Sequence, residues 1–584
     1  MHPQPAPLAL VSGSRIGVIG GGPAGAFFAY FLLTMGRRAG RELAVDIHEP
    51  RDFTRPGPRG CNMCGGIISE SLVQMLAAEG INLPPSVVQR GIDSYVLHMD
   101  VGSVRIATPA AERRIASIHR GGGPLGSVGF AWRSLDAHLL DLAERQGARV
   151  LRRRARRLAT AGERPVIVAD DGTATAYDLV AVAAGLNTAA GKLLATMPGR
   201  YRPPRATRTF ICEYDLGRDA IRRSLGDSMH VFLLDLPRLE FAAVIPKGDH
   251  ASVCMLGDDI DDALVDSFLD APEVRACFPA GWDPAARACR CLPQMPVGPA
   301  REPFADRLVF LGDCGVSRLF KDGIGSAYRT AKTAAATAVF AGVAEADFRR
   351  HYWPACLAIV ADNRLGKLTF AATGVIQRAR PARRAVWNMV VREQRRSGSR
   401  RRLSLALWDL FTGSASYREV FMRMLHPLFL LNLVRNLFGT ATPAESASAR
   451  PVTGSGALGT VFADGEVIVR QGDVGECMYV IQEGEVEVSV LVDGRETVLR
   501  RLHAGELIGE LALLDRQVRS ATVKAVGEAR VVTVDRATLL KRLHEDPSLV
   551  FHIVESMSHR IRQLSDEVCA LQRATPGRED SVAG

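Results

Sequence analysis

The chain has 584 residues, 47% of them hydrophobic and 23% charged, a globular composition that excludes a disordered or fibrous protein. That length exceeds one hydrophobic core and predicts about three or four folded units. Formal net charge is +10 with 73 Lys and Arg against 63 Asp and Glu, the excess concentrated at Arg152–Arg157 and Arg378–Arg402, and whole-chain basicity alone does not define a nucleic-acid binder.

Eleven cysteines are scattered without a framework of spacings, which fits reduced thiols and a cytoplasmic chain. The N-terminal stretch lacks a basic segment followed by an apolar one, so no signal peptide is expected. No apolar run reaches the roughly 20 residues that span a bilayer.

The first element is a βαβ unit. Arg15–Ile19 is a short apolar strand, Gly20–Gly25 a glycine turn, Ala26–Met35 a helix apolar almost all round, and Ala44–His48 a second strand. In Gly20-Gly21-Gly22-Pro23-Ala24-Gly25, Gly20 permits the tight turn, Gly22 lets the backbone approach a pyrophosphate and Gly25 lets helix and strand pack closely. The helix start, with Ala24, offers free N–H groups and a positive dipole end. Glu49 closes the second strand, where an acid accepts from ribose hydroxyls. Together these predict a dinucleotide site.

Downstream, Arg59-Gly-Cys61-Asn62-Met63-Cys64-Gly65-Gly66 is the most individual segment. Its Cys-x-x-Cys spacing admits three readings: a redox disulfide, half of a zinc site for which no second half is visible, or small residues that let a loop pass a cofactor. Arg133 precedes a helix at His138–Gln146. Asp178–Gly185 reads as a strand. From Thr207 to Met255, TFICEY, MHVFLL, FAAVI and ASVCML predict an antiparallel sheet inserted into the nucleotide fold. Leu308-Val-Phe-Leu-Gly-Asp313 is an apolar strand ending in Gly312-Asp313, followed by Gly323-Ile324-Gly325 and a long helix, Ser326–Phe340.

The paired motifs resemble those of two-dinucleotide-fold flavoproteins of the para-hydroxybenzoate hydroxylase type. The resemblance implies FAD as cofactor. Gly20, Gly22, Ala24, Gly25 and Glu49 would hold its nucleotide end. Gly312 and Asp313 would hold the ribityl–pyrophosphate region, with Arg133 near the cofactor. The helix start at Gly323, Ile324 and Gly325 would face the flavin carbonyl, where its dipole favours a reduced anionic ring. Within that superfamily, Cys64-Gly65-Gly66 resembles the Cys-Gly-Gly segment of geranylgeranyl reductases, which implies a catalytic Cys64 beside the flavin. Their substrate-sheet motif has its frame in Phe241-Ala-Ala243-Val-Ile245-Pro246-Lys247-Gly248-Asp249. Ala243 stands where the family has Trp, so the substrate is not specified.

The expected activity is reduction or dehydrogenation of a lipophilic, isoprenoid-like substrate. Monooxygenation is the alternative, and a flavin and cyclic-nucleotide sensor without turnover is a third reading. NAD(P)H would serve as electron donor in such chemistry, although no second Rossmann fingerprint marks a site for it.

Residues 346–438 read as a basic helical segment with ten arginines between Arg378 and Arg402. A solvated face of helices packed on the catalytic domain is the favoured reading. A peripheral contact with the inner face of a membrane, delivering a lipid substrate, is the alternative. Residues 439–457 are rich in Ser, Thr, Ala, Pro and Gly and read as a linker.

From 458 to 575 the pattern turns to short strands and then helices. Ile508-Gly509-Glu510-Leu511-Ala-Leu-Leu, followed by Arg519-Ser520-Ala-Thr-Val, resembles the phosphate-binding cassette of cyclic-nucleotide-binding domains. The resemblance implies cAMP or cGMP as a regulatory ligand, held by Gly509, Glu510, Leu511, Arg519 and Ser520. Arg519 would pair with the phosphate and Glu510 would accept from the ribose. No helix-turn-helix follows, so no nucleic-acid partner is expected.

The fold expected overall is an α/β Rossmann-type FAD-binding domain, residues 1–345. An antiparallel substrate sheet is inserted at about 200–300. The basic helices, the linker and a C-terminal β-roll follow.

Overall fold

The computed structural model describes residues 8–109, 112–125, 132–187, 193, 200–395, 401–437, 456–510, 517–536 and scattered positions of 539–569. The chain divides into two compact units. One comprises Met1–Glu70 and Pro85–Gly456. The other comprises Ser71–Pro84 and Ala457–Gly584.

The first unit is built on a six-stranded sheet. Its order is Phe304–Ala305, Leu308–Phe310, Leu179–Val182, Arg15–Ile19, Ala44–His48, Arg149–Leu151. All neighbours are parallel except the first pair. Strands buried on both faces read as continuous apolar runs, which is why IGVI and LVAV are unbroken. Helix Pro23–Arg38 packs on this sheet and helix Gly323–Phe340 packs against that helix. The two lie nearly 300 residues apart in sequence, so the nucleotide fold is split by an insertion.

The insertion is a seven-stranded sheet. Its order is Cys289–Cys291, Phe210–Asp215, His250–Gly257, Leu239–Lys247, Ser228–Phe232, Ser94–Met99, Gly102–Ala107. Side chains alternate across it. Ile211, Met229, Phe241, Ala243, Ile245 and Leu256 join one core, and Cys212, Phe232, Ala242, Val244 and Met255 join another. The last two strands come from outside 200–300. They arrive through the pairing of Ser94–His98 with Ser228–Phe232, the one parallel pairing in this sheet.

Residues 353–437 form five helices, Trp353–Arg378, Arg380–Gln394, Arg402–Thr412, Tyr417–Met424 and Pro427–Leu437. They pack on the first face of the sheet through Val386, Trp387, Val390, Trp408 and Phe411. Arg383 is buried and donates to Asp100 at 2.6 and 2.9 Å. The arginine-rich segment is therefore structural on this side. No helix among the described residues is long and apolar enough to cross a membrane.

The second unit is an antiparallel roll. Two long strands, Cys477–Val492 and Thr522–Asp535, pair along most of their length. Arg495–His503 lies on one side of them and Thr460–Phe462 on the other. Buried Ile481, Val486, Val488, Leu502, Val523 and Val531 form its core. Ser71–Pro84 completes this unit. Gln482 donates to the Asn82 side-chain oxygen at 3.3 Å, and its own side-chain oxygen accepts from the Leu83 N–H. Arg530 donates to the Leu83 carbonyl at 3.2 Å.

Candidate functional site

A cleft of about 280 Å³ in the first unit is lined by residues from both halves of the split fold. Gly20, Gly22, Pro23 and Ala24 supply one wall, and Gly312, Asp313, Gly323 and Ile324 the opposite one. Gly20 has φ +104°, and a Cβ there would meet the Ala183 carbonyl oxygen at 2.5 Å. A Cβ on Gly25 would come within 1.9 Å of the Gly20 carbonyl oxygen. Gly25 is thus the packing glycine and does not line the cleft. The helix behind this turn carries no acid in its first turn and no side-chain cap. Its free N–H groups and dipole face the cleft.

Glu49 is 2% exposed. Its carboxylate accepts from the Gly21 N–H at 2.9 Å and from the Arg51 N–H at 2.9 Å, so it braces the glycine turn while lining the cleft. Asp313 also lines it, and burial pushes its pKa up, opposed by Ser317 and Arg120. The helix Gly323–Phe340 begins at Asp322, whose backbone is left-handed at φ +53°. Asp322 accepts from Ser69 at 2.9 Å and pairs with Arg329 at 2.9 Å, so the charge of this carboxylate, which lies at the helix start, is offset by Arg329. Gly325 sits against the Asp322 carboxylate, not on the cleft wall.

Arg133 does not reach the cleft lining. It pairs with Asp141 and is about one-third exposed. Arg51, Arg120, Arg318 and Lys321 are the basic residues of the described lining, and Arg120 is the one set beside Asp136. Its guanidinium donates to both carboxylate oxygens of Asp136, one at 3.0 Å. Burial works against its charge, but the fully buried Asp136 raises its pKa further. Asn62 donates to the same Asp136 at 2.6 Å. Arg120 is followed by Gly121 and Gly122, where a Cβ would strike the Gly60 and Thr54 carbonyl oxygens at 2.6 and 2.2 Å. The sequence analysis did not single out Arg120, and the glycine run that follows it is the signal that could have marked it.

The cleft continues into an apolar chamber under the seven-stranded sheet, lined by Ile211, Met229, Phe241, Ala243, Ile245 and Leu256, with Phe320 and Phe411 closing it. Cys64, Gly65 and Gly66 lie at the junction. A Cβ on Gly65 would meet the Cys254 sulfur at 2.8 Å, and one on Gly66 the Lys247 ammonium at 2.8 Å. Lys247 is 1% exposed and donates to Glu213 at 3.2 Å, whose other oxygen accepts from Ser252 at 2.6 Å. Lys321 also lines the chamber, its ammonium 3.0 Å from the Phe241 ring centroid. Burial pushes its pKa well down. Cys61 and Cys64 are free thiols. Each sulfur accepts a backbone N–H two residues on, at 3.2 and 3.4 Å. Burial raises the Cys61 thiol.

These residues fit FAD. The glycine turn leaves a cradle that a Cβ at Gly22 would fill, 3.1 Å from Asn62 Nδ2. The Pro23 helix start, the Gly323 helix start behind Asp322, and the Arg120 guanidinium supply donors for phosphates and a flavin carbonyl.

The second unit holds a separate candidate site. Gly509 has φ +76°, and a Cβ there would strike the Arg519 guanidinium at 1.9 Å. Arg519 is 5% exposed and donates to the Gly509 carbonyl at 2.8 Å and the Cys477 carbonyl at 2.5 Å. Glu510 is buried and follows Gly509 directly, while Ser520 is exposed. Leu511 lies outside the described residues.

Residues 460–546 match the family described as cyclic nucleotide-binding domain. Over 83 residues the chain is 41% identical to a cAMP-dependent protein kinase regulatory subunit of Blastocladiella emersonii, covering 14% of this chain and 21% of that one. Over 147 residues it is 35% identical to the same kind of subunit from Dictyostelium discoideum, covering 23% and 42%. The matched stretches thus span less than half of these relatives. Among solved structures, halogenase PltM in complex with phloroglucinol and FAD aligns at 12% identity and a TM-score of 0.46, covering 71% of this chain and 86% of that one. A 2-methyl-3-hydroxypyridine-5-carboxylic acid oxygenase aligns at 14% identity and a TM-score of 0.43, covering 63% and 93%.

Proposed function

We propose that the protein is an FAD-dependent oxidoreductase that acts on a small lipophilic molecule and carries a cyclic-nucleotide-binding regulatory domain. One observation carries the reading. The glycine turn, Glu49, Arg120, Asp313 and the Gly323 helix start converge on one cleft, and that cleft opens into a chamber with apolar walls. FAD, when bound, supplies the hydride chemistry. Gly22 and Ala24 admit its pyrophosphate, Arg120 offsets phosphate charge, and the Gly323 helix start polarises the carbonyl edge of the ring.

Ala243, where larger aromatics would narrow the chamber, leaves room for an aliphatic or isoprenoid chain. Cys64 stands at the junction of cofactor and substrate, which supports a direct role in turnover. Reduction or dehydrogenation is the first reading and monooxygenation the second. A membrane contact that delivers the substrate is supported by Leu425, Leu428, Leu431 and Val434. All four are about half or more exposed on or beside one helix with Arg435. Glu510 and Arg519 support a cyclic nucleotide as the regulatory ligand.

The test is to purify the full chain, record its visible spectrum and identify the released cofactor by mass spectrometry. Candidate lipids are then assayed with and without oxygen. Oxygen-independent turnover supports reduction or dehydrogenation, and an oxygen requirement supports monooxygenation. Cys64→Ser should keep the cofactor and change the turnover rate. A colourless protein that takes up no FAD would refute the proposal.

A further inference from the structure

On the face of the seven-stranded sheet that turns away from the cleft, three side chains of adjacent elements converge. His98 lies on Ser94–Met99, His230 on Ser228–Phe232, and Cys277 just after the short helix Pro272–Arg275. His98 Nε2 and His230 Nδ1 are 2.8 Å apart. The Cys277 sulfur is 3.6 Å from the first and 3.4 Å from the second. All three residues are buried, and one ligand atom of each lies within 4.8 Å of the others.

The outer atoms of the rings are held. His230 Nε2 can only donate to the Leu225 carbonyl, 3.2 Å away. Its Nδ1 is therefore the unprotonated nitrogen, aimed at His98 and Cys277. His98 Nδ1 lies 2.8 Å from Ser103 Oγ, a group that can accept or donate. If His98 donates to Ser103, its Nε2 lone pair also turns inward. This is the outer-shell arrangement that orients ligating imidazoles. Burial holds the His98 pKa down to about 3 and the His230 pKa to about 4, so both rings are neutral. In the metal-free state the 2.8 Å contact is a hydrogen bond that His98 Nε2–H donates to His230 Nδ1, and moving that proton to His98 Nδ1, toward Ser103, frees both inward lone pairs.

We propose that His98, His230 and Cys277 form a binding site for one soft monovalent cation, Cu(I). Metal–nitrogen and metal–sulfur bonds of about 2.0 and 2.3 Å place nitrogen and sulfur roughly 3.5 Å apart, as found here. The two nitrogens must part by about half an ångström, exchanging their mutual hydrogen bond for two metal bonds.

Charge selects the ion. The surroundings are apolar, with Phe232 stacked on His98 at 4.8 Å between centroids. Two neutral imidazoles and one thiolate around Cu(I) leave no net charge, whereas Zn(II) would leave a buried unit charge at a cost of several kcal/mol. Coordination number agrees. The cluster has three donors among the described residues, while structural zinc almost always has four. On binding, the Cys277 S–H bond breaks, its proton leaves to solvent, and the sulfur lone pair forms the bond to copper with no change of oxidation state.

The experiment uses the reduced full chain under nitrogen, titrated with Cu(I) held by bicinchoninate. The expected result is one equivalent withdrawn from the chelator, with X-ray absorption showing two nitrogen neighbours and one sulfur. Cys277→Ser and His230→Gln should each weaken retention by on the order of 100-fold or more, with far-UV circular dichroism confirming the fold. Cys61→Ser/Cys64→Ser should retain it. No withdrawal of copper would overturn the proposal, as would retention unchanged in both site variants, or displacement by an equal concentration of Zn(II).

Discussion

Arg519→Ala tests the nucleotide site and carries two separable effects. Arg519 donates to two carbonyl oxygens, at Gly509 and Cys477. Hydrogen bonds to a charged group are worth about 1.5–3 kcal/mol each, so truncation should destabilise the nucleotide-free domain by about 3–6 kcal/mol. A cyclic nucleotide must then take over these donors, because its phosphate needs the same guanidinium. At about 100 times its dissociation constant, a ligand that binds only the folded state adds about 2.7 kcal/mol. For a domain of this size, that raises the unfolding temperature by about 10–20 °C. Calorimetry on the full chain should show one transition rising with cAMP or cGMP while the other stays. In Arg519→Ala the basal transition falls and the nucleotide shift disappears. Arg519→Lys keeps a charge and should weaken binding by about 30-fold, equivalent to about 2 kcal/mol. A full nucleotide shift in Arg519→Ala would refute the phosphate assignment. An unchanged basal transition would refute the role given to the two carbonyl contacts.

Gly25→Ala places a methyl 1.9 Å from the Gly20 carbonyl oxygen and should cost about 1–3 kcal/mol together with most of the bound flavin, read by flavin-to-protein ratio. Full loading would return Gly25 to a tolerant turn position. Lys247→Met leaves the Glu213 carboxylate buried and unpaired and should cost about 3–5 kcal/mol in urea unfolding, with most of that recovered in Lys247→Met/Glu213→Gln; failure of the second change to rescue would argue against the ion pair. Burial raises the Asp409 pKa to about 6 from 3.8, opposed by its Arg423 partner. The folded state therefore binds the proton more tightly, and its contribution is present below pH 3.8 and lost as pH rises through 6. The thermal midpoint of wild type should fall between pH 4 and 7 relative to Asp409→Asn; parallel curves would contradict this.

The glycine turn, Gly312-Asp313 and the Gly323 helix start are local motifs, and their spacing was readable because each does its work within a few residues. Long-range pairing hid the rest. Ser94–Met99 joins the substrate sheet through partners 134 positions away, and nothing in SYVLHM announces that register. Arg133 carried a helix-start pattern, but the helix turns it toward Asp141. Arg120 carried only a glycine run, yet Asp136 sits opposite it because the fold closes the intervening loop. Ala243 was legible as a departure from a family pattern. Its position on the chamber wall needed the strand alternation that puts Phe241, Ala243 and Ile245 on one face.

Ser71–Pro84 gives the chain an unusual plumbing. The backbone passes between the two units three times, at Glu70–Ser71, Pro84–Pro85 and Gly456–Ala457. The C-terminal roll is therefore not a detachable tail. A chain cut within 439–455 would still hold its two pieces together, because Gln482 and Arg530 grip Asn82 and Leu83. A roll expressed alone from Ala457 would leave the 4%-exposed Arg530 without one of its carbonyl partners. The segment that completes the roll begins five residues after Gly66, so a deletion or insertion between Gly66 and Ser71 would alter the spacing between the Cys64 loop and the roll along the chain.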